Sequence, residues 1–538
     1  MEPGPAGDTL SRMTTRAAVC LALAGLWMAG GGAGLNAQDK PKEAPPSKAG
    51  PGEAAKDGAK KDDGKDSKES KEEKKSVTEH VITLGGQRIE YTATAGTLPL
   101  KDAEGKTTAE IFYIAYTRKG VAETAKRPLT FSFNGGPGSS SVWLHMGLLG
   151  PKRVKLRDDG FAVPPPYELL DNEFSLIDET DLVFIDPVGT GYSRAAKPED
   201  AKNFHGLRED ARSVGEFIRL YVTRNSRWLS PKFLIGESYG TTRAAALSGE
   251  LLQAHRMNLN GIMLVSTVLN FQTIRDAEGN DLPFVLYLPS YAATAWYHKK
   301  LGPDLQQKPL AEVLAQAEAF ASGEYNRALL LGAGMTAEQR ASAVKQMARL
   351  TGLSEKFVDA ADLRVPLQRF NAELLRDQRL VTGRFDSRYT SPVRDPLSEA
   401  AERDPSGDAV FSVFASTFND YVRTTLKFEE DRPYTILGGV GRWNWSAENG
   451  YADVSEILSD SMTANPFLKV HVSNGYFDMA TPYYATRYTI NHLRLPPALL
   501  KNIVQDDYTA GHMMYLNLPD LKKQKADLAK FLRTASGR

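Results

Sequence analysis

Polar and apolar residues alternate over residues 80–84 and 88–94, on either side of Gly85–Gly86. Period-two alternation across a Gly-Gly step predicts two strands joined by a tight turn. Residues 109–117 (AEIFYIAYT) and 128–133 (PLTFSF) read as further strands, the second running into a glycine-rich loop. The apolar run 182–185 (LVFI) has the character of a strand buried on both faces of a parallel sheet. The period then changes. An amphipathic helix is predicted over 207–223, a strand at 232–235, a helix over 242–255 and a strand at 261–266 (GIMLVS). Strands alternating with helices of this length predict a mainly parallel α/β sheet. The alternation stops near Ile274. From there to about Ala464 the pattern is largely helical, as at 308–322, 336–350 and 367–379, with loops rich in Pro, Asp and Ser over 382–408. It resumes with a strand at 467–472, a helix at 483–493, a strand at 501–505 and a last helix over 518–534. The expected architecture is one α/β domain in two parts, 77–274 and 465–538, interrupted by a helical cap over 275–464.

The residues ahead of this domain follow other patterns. Arg12 and Arg16 precede an uncharged stretch, 17–30 (AAVCLALAGLWMAG), and then Gly and Ala up to Ala37. A basic segment, an apolar run and small residues after it read as a secretory signal peptide over 1–37. The apolar part is shorter than the ~20 residues a spanning helix needs, so no stable membrane insertion is expected after cleavage. Residues 38–76 are almost wholly Lys, Asp, Glu, Ala, Gly, Pro and Ser. They cannot bury enough apolar area to offset their ordering entropy, and a disordered charged linker is expected. An exported protein follows, periplasmic or secreted.

Composition narrows the chemistry. The 538 residues hold 66 basic and 66 acidic side chains and one cysteine. A neutral balance argues against a nucleic-acid binder. One cysteine, Cys20 in the leader, excludes a disulfide framework and any multi-cysteine zinc site. No His pair has zinc-motif spacing, and neither a P-loop nor a dinucleotide fingerprint occurs, so no metal and no cofactor is expected.

Gly236-Glu237-Ser238-Tyr239-Gly240 fits G-x-S-x-G, after an apolar strand (FLIG) and before an Ala-rich helix. That strand-to-helix turn holds a serine in a strained conformation at the N-terminus of a helix, whose amides and dipole favour an anion. A serine hydroxyl needs a base, and the base an orienting carboxylate. In α/β-hydrolases these follow in the order Ser, acid, His. Of the histidines after Ser238, His512 lies in a glycine-flanked loop after a late strand, whereas His471 and His492 fall within predicted elements. Asp478, after the preceding strand, is the expected acid. Asp506 and Asp507 lie too near His512 to occupy another loop, and Asp186 reads as a structural residue beneath the site.

Four motifs together resemble the serine carboxypeptidases, here in a bacterial-type form: Asn134-Gly135-Gly136-Pro137-Gly138-Ser139-Ser140, IDPVGTGYS at 185–193, GESYG at 236–240 and AGHM at 510–513. The resemblance implies an α/β-hydrolase fold with a helical insertion. It implies Ser238 as nucleophile, His512 as general base and acid, Asp478 as its orienter, and the amides of Gly136 and Tyr239 as the oxyanion hole. It further implies that Asn134, Gly135 and Glu237 hold the free C-terminal carboxylate of a peptide substrate. Two carboxylates at hydrogen-bond distance cannot both stay ionised, so an acidic activity optimum is expected.

The chain departs from the family in four places. Ser132 stands where the family usually has Trp, Ser139 where it has Cys, and Leu148 where a second Glu supports the clamp; the residues after the elbow are Gly240-Thr241-Thr242-Arg243. These departures leave open an acyltransferase or esterase on the same triad. Arg243 is expected on a surface or cap-facing side of its helix, with a compensating charge for the substrate terminus as the alternative. His145 and Trp143 either line the pocket or pack beneath it. The aromatic pieces 284–296 and 443–445 either shape a groove in the cap or form its core.

Overall fold

The computed structural model describes residues 73–447 and 450–538; the expected leader and nearly all of the charged linker lie outside them. The first strand, β1 (Lys75–Leu84), begins inside the expected linker, so Lys75 and Ser76 already pair in the sheet. It turns through Gly85 and Gly86, both at positive φ, into β2 (Gln87–Lys101). Beyond it lie β3 (Thr107–Arg118), β4 (Leu129–Phe133), β5 (Asp181–Ile185), β6 (Lys232–Ser238), β7 (Gly261–Thr267), β8 (Lys469–Gly475) and β9 (Ile503–Tyr508). Their spatial order is β1-β2-β3-β5-β4-β6-β7-β8-β9, with a two-residue strand at Arg194–Ala195 pairing β3 to complete a ten-stranded sheet. The steps from β1 to β5 are antiparallel, and every later one is parallel.

The central strands are buried on both faces. Along β6, Leu234 enters one apolar layer while Phe233 and Ile235 enter the other. The first layer is closed by α1 (Leu207–Arg224), α2 (Tyr239–His255) and a helix at Ser455–Ala464; the second by helices at Pro405–Asp420 and Leu518–Ala535. Packing therefore divides the stretch 275–464. Val285, Leu288 and Tyr291, together with helices as far as Leu375, form a separate apolar cluster, whereas 405–420 and 455–464 belong to the layers of the sheet. The helix expected over 367–379 ends at Glu373 and gives way to a single tight turn at Arg376–Gln378. Among the described residues no helix is long and apolar enough to cross a membrane.

At the N-terminal end of the parallel strands, Asp181 accepts hydrogen bonds from Arg127 Nε at 2.7 Å, Arg227 Nη1 at 2.6 Å and the Arg118 backbone N–H at 3.0 Å, with Asp181, Arg127 and Arg227 all buried. Removing one partner of a buried ion pair leaves uncompensated charge, a loss of ~3–5 kcal/mol. Asp181→Ala should lower the unfolding free energy by about that much in urea titrations, with the smaller loss in Asp181→Asn.

Candidate active site

Four loops meet at the C-terminal ends of the parallel strands, where α/β sheets place their ligands. They follow β4 (Asn134–Gly138), β6 (Ser238), β8 (Asp478) and β9 (His512). Ser238 sits between β6 and α2 at φ 59° and ψ −130°, a region rarely occupied by L-residues. Gly236 permits the turn, since a Cβ there would lie 2.1 Å from the Gly240 carbonyl oxygen. Glu237, Asp478 and His512 are buried, while Ser238 keeps partial exposure. That is the pattern expected of a reacting atom served by enclosed partners.

Asp478 is saturated with donors. Its Oδ1 accepts the N–H groups of Ala480 at 2.7 Å and Thr481 at 2.9 Å, and its Oδ2 accepts the Thr481 hydroxyl at 2.8 Å. His512 Nδ1 lies 2.8 Å from the same Oδ2. Burial alone would depress the imidazole, but the charge and hydrogen bond of Asp478, with Glu237, outweigh it; the His512 pKa stands above the ordinary 6.5, against an opposing push from Arg384. His512 thus has Nδ1 committed to Asp478. The competing residues are engaged elsewhere: His471 with Asp506, Asp507 with Arg487, and His492 with the Tyr488 carbonyl.

Glu237 is buried one residue before Ser238. Burial pushes its carboxyl up to about 7, with Asp478 adding to the rise, while His512, the Tyr515 hydroxyl and the Asn134 side chain oppose it. Tyr515 donates to Glu237 Oε2 at 2.6 Å. Asn134 Oδ1 accepts the Leu144 N–H at 3.1 Å, whereas its Nδ2 is buried without a well-formed hydrogen bond. Gly135 lies against the elbow itself: a Cβ there would fall 2.4 Å from the Tyr239 nitrogen. Gly136, at φ 99°, continues this loop. Tyr239 opens α2, so its N–H has no intrahelical acceptor. Its ring points away into the core, edge-on to Trp443 at 5.4 Å and Trp445 at 5.8 Å.

One expectation is overturned and two open alternatives are narrowed. Arg243 is neither on the surface nor facing a cap. It is 1% exposed, its Nε donates to Asp210 at 2.7 Å and its Nη1 to the Asn134 carbonyl, so it ties α2 to the loop after β4. His145 and Trp143 pack beneath the loop: His145 lies 2.7 Å from the Tyr116 hydroxyl and burial lowers its pKa to about 3, and Trp143 packs on Phe411 and Phe414. The tryptophans at 443 and 445 support Tyr239 instead of shaping a groove. Asp186 is buried and accepts the Ser141 N–H at 2.8 Å.

Sequence reasoning missed three contributors. Thr481 carries a faint signal, as the third residue after an Asp in a turn. Tyr515 carries none. The third is the segment 383–388, inside the loops read only as rich in Pro, Asp and Ser. Its Phe385 carbonyl accepts the His512 N–H at 2.6 Å, Asp386 Oδ2 accepts the Gly511 N–H at 3.0 Å, and the Arg384 carbonyl accepts the Met479 N–H at 3.0 Å. One inserted strand of chain thereby braces both the acid loop and the base loop.

Against known proteins, residues 87–514 match the serine carboxypeptidase family, and the chain belongs to it. Serine carboxypeptidase-like 45 of Arabidopsis thaliana is 27% identical over 207 residues, covering 37% of this chain and 41% of that protein. The pheromone-processing carboxypeptidase KEX1 of Saccharomyces cerevisiae is 33% identical over 156 residues, covering 27% of this chain and 20% of that protein. The match thus spans less than half of either relative. These relatives are eukaryotic and give no support to a bacterial-type form. The crystal structure of the yeast prohormone-processing carboxypeptidase Kex1(Δ)p superposes with a TM-score of 0.52 at 18% identity, covering 82% of this chain and 91% of that one. The fold is the α/β-hydrolase fold.

Thr481 tests the orientation of the acid. A hydrogen bond to a charged group contributes ~1.5–3 kcal/mol. Thr481→Val should therefore lower the unfolding free energy in urea titrations by about that much and, by loosening Asp478, slow fluorophosphonate labelling of Ser238 as well.

Proposed function

We propose that the protein is a serine-type carboxypeptidase that releases C-terminal residues from peptides through an acyl-enzyme. Ser238 Oγ attacks the scissile carbonyl while His512 takes its proton. The oxyanion is held by the amides of Gly136 and Tyr239, where each such donor is worth ~2.7–4 kcal/mol in the barrier. The C–N bond breaks as His512 returns the proton to the leaving amino acid, and water then releases the acyl group by the same route. Asp478 keeps the imidazole oriented and stabilises its charged form.

The observation that carries the reading is Glu237, an acid buried beside the elbow with the Asn134 amide next to it. A neutral Glu237 can donate to a substrate's terminal carboxylate, and Asn134 Nδ2 supplies a second donor. Gly135, pressed on the elbow, brings the substrate's end within reach of Ser238. An esterase or acyltransferase has no need of this acid. The N-terminal pattern supports export, with a periplasmic or secreted location after loss of residues 1–37.

The pH dependence follows from two opposed titrations. Glu237, raised to about 7, is protonated below that pH; above it two carboxylates face each other and binding weakens. His512 must be neutral to act as base, and its raised pKa moves the acid limb of kcat upward. Activity should follow a bell whose alkaline limb is set by Glu237 and whose acid limb is set by His512.

The test compares an N-blocked dipeptide with its C-amidated twin. The free acid should be preferred by on the order of 10²-fold in kcat/KM, the worth of two charge-assisted hydrogen bonds. Its KM should rise about tenfold from pH 6 to pH 8, as a titration centred near 7 requires. The pH dependence should vanish in Glu237→Gln, while part of the acid preference remains through Asn134 and the Gln amide; fluorophosphonate labelling should vanish in Ser238→Ala. Equal turnover of acid and amide would point to the esterase or transferase alternative.

A further inference from the structure

The family resemblance places a second glutamate where this chain has Leu148, a residue 1% exposed within the apolar layer of the sheet. An acid in the clamp needs a partner, and here the partner comes from a different part of the chain. Tyr515, three residues after His512 and equally buried, packs its ring directly on the backbone of Gly147, where an added Cβ would lie 2.4 Å from Cε2. From there its hydroxyl reaches Glu237 Oε2 at 2.6 Å.

We propose that Tyr515 is the positioning residue of the carboxylate clamp, fixing Glu237 Oε2 as an acceptor so that Oε1 alone carries the titrating proton and presents it to the substrate's terminal carboxylate. This rests on the carboxypeptidase reading and goes one step further, to which oxygen does the work. The chemistry of the partner matters. A second carboxyl both donates and accepts, so a two-acid clamp shares its proton between two residues. A phenol that stays protonated donates only. Burial, with the charge of Glu237 and the hydrogen bond to it, raises the Tyr515 pKa well above the usual 10, so it donates at every pH at which the enzyme works. Glu237 thus has a single open oxygen, and the Asn134 side chain lies beside both the acid and the Tyr515 hydroxyl.

The charged groups acting on Glu237 are His512 and Asp478, with Tyr515 and Asn134 as its hydrogen-bonding neighbours; Arg384 acts on His512. Of these, Tyr515 can be changed by the loss of one oxygen without altering any charge. The Tyr515 hydrogen bond favours ionised Glu237, so its removal must raise the acid's pKa.

The experiment is steady-state kinetics of Tyr515→Phe on the N-blocked dipeptide and its C-amidated twin from pH 5 to pH 9. The pH at which KM for the free acid begins to climb should move upward by about one unit, the size of a lost hydrogen bond to a charged group. At pH 5 that KM should be raised several-fold while kcat changes less, because the acid has lost its fixed orientation. The amide should show no limb to move. Glu237→Gln gives a second reading: its KM should be independent of pH, and adding Tyr515→Phe should leave it so. A limb that stays in place in Tyr515→Phe, with the acid still preferred over the amide in the wild type, overturns the role of Tyr515 alone. A limb that persists in Glu237→Gln overturns it as well. A wild type indifferent to the free carboxylate overturns the carboxypeptidase reading, and the role of Tyr515 with it.

Discussion

Holding the backbone of Ser238 at φ 59° and ψ −130° costs on the order of 1–3 kcal/mol, and a turn that strained persists only where its surroundings leave it no alternative. Here the surroundings are mostly backbone. Gly236 meets the Gly240 carbonyl, and the loop after β4 presses Gly135 onto the Tyr239 nitrogen. Arg243 reaches back from α2 to the Asn134 carbonyl while its charge is answered by Asp210. A buried pair of this kind adds little net stability, because desolvation offsets most of the attraction. Its contribution is directional: three pieces of chain distant in sequence are held in one arrangement around the serine. The positions proposed for the oxyanion amides and the clamp follow from the same interlock, since each is a neighbour of one of its members.

The acid and the base are supported by different means. Their loops follow adjacent parallel strands, β8 and β9, which sets their spacing along the sheet edge. Residues 383–388, inserted far from either in sequence, then bond to the backbone of both loops. Phe385 also stacks near the imidazole, with ring centroids 5.2 Å apart. The inserted region is therefore more than a lid over the site. Part of it walls the loops that carry Asp478 and His512, part belongs to the layers flanking the sheet, and only the helices from Leu282 to about Leu375 form a cluster of their own.

Much of this was legible from periodicity. Apart from β1 and β2, which run well beyond the stretches read as strands, the strands and helices of the sheet were found to within a few residues because each buries a regular set of apolar side chains, and Phe233, Leu234 and Ile235 have no other place. Ser238, Asp478 and His512 were singled out because chemistry demands those residue types in that order after those strands, and His512 Nδ1 does lie 2.8 Å from Asp478 Oδ2. Arg243 was misplaced for a physical reason. Nothing in a helical pattern distinguishes a cation exposed to water from one enclosed with Asp210, since the distinction lies in a partner 33 residues away. Tyr515 and the 383–388 segment escaped notice for the same reason, as their roles are carried by hydrogen bonds across 278 and 125 residues of chain. Sequence pattern reports what each element buries; it is silent on which distant polar group completes a site.

Glu237 and His512 lie close enough for the charge of each to move the titration of the other. The arrangement with neutral imidazole and protonated acid has the same net charge as the one with imidazolium and carboxylate. The two are tautomers of one site, and no change in pH converts one into the other. A third charge does convert them. Under the proposed clamp, a peptide's terminal carboxylate hydrogen-bonded to Glu237 draws the proton to that acid and leaves His512 unprotonated. The ligand would then generate the base that attacks it, and a peptide lacking that end would meet an imidazole still occupied. Discrimination between substrates would be exercised through the location of one proton, before any bond begins to break.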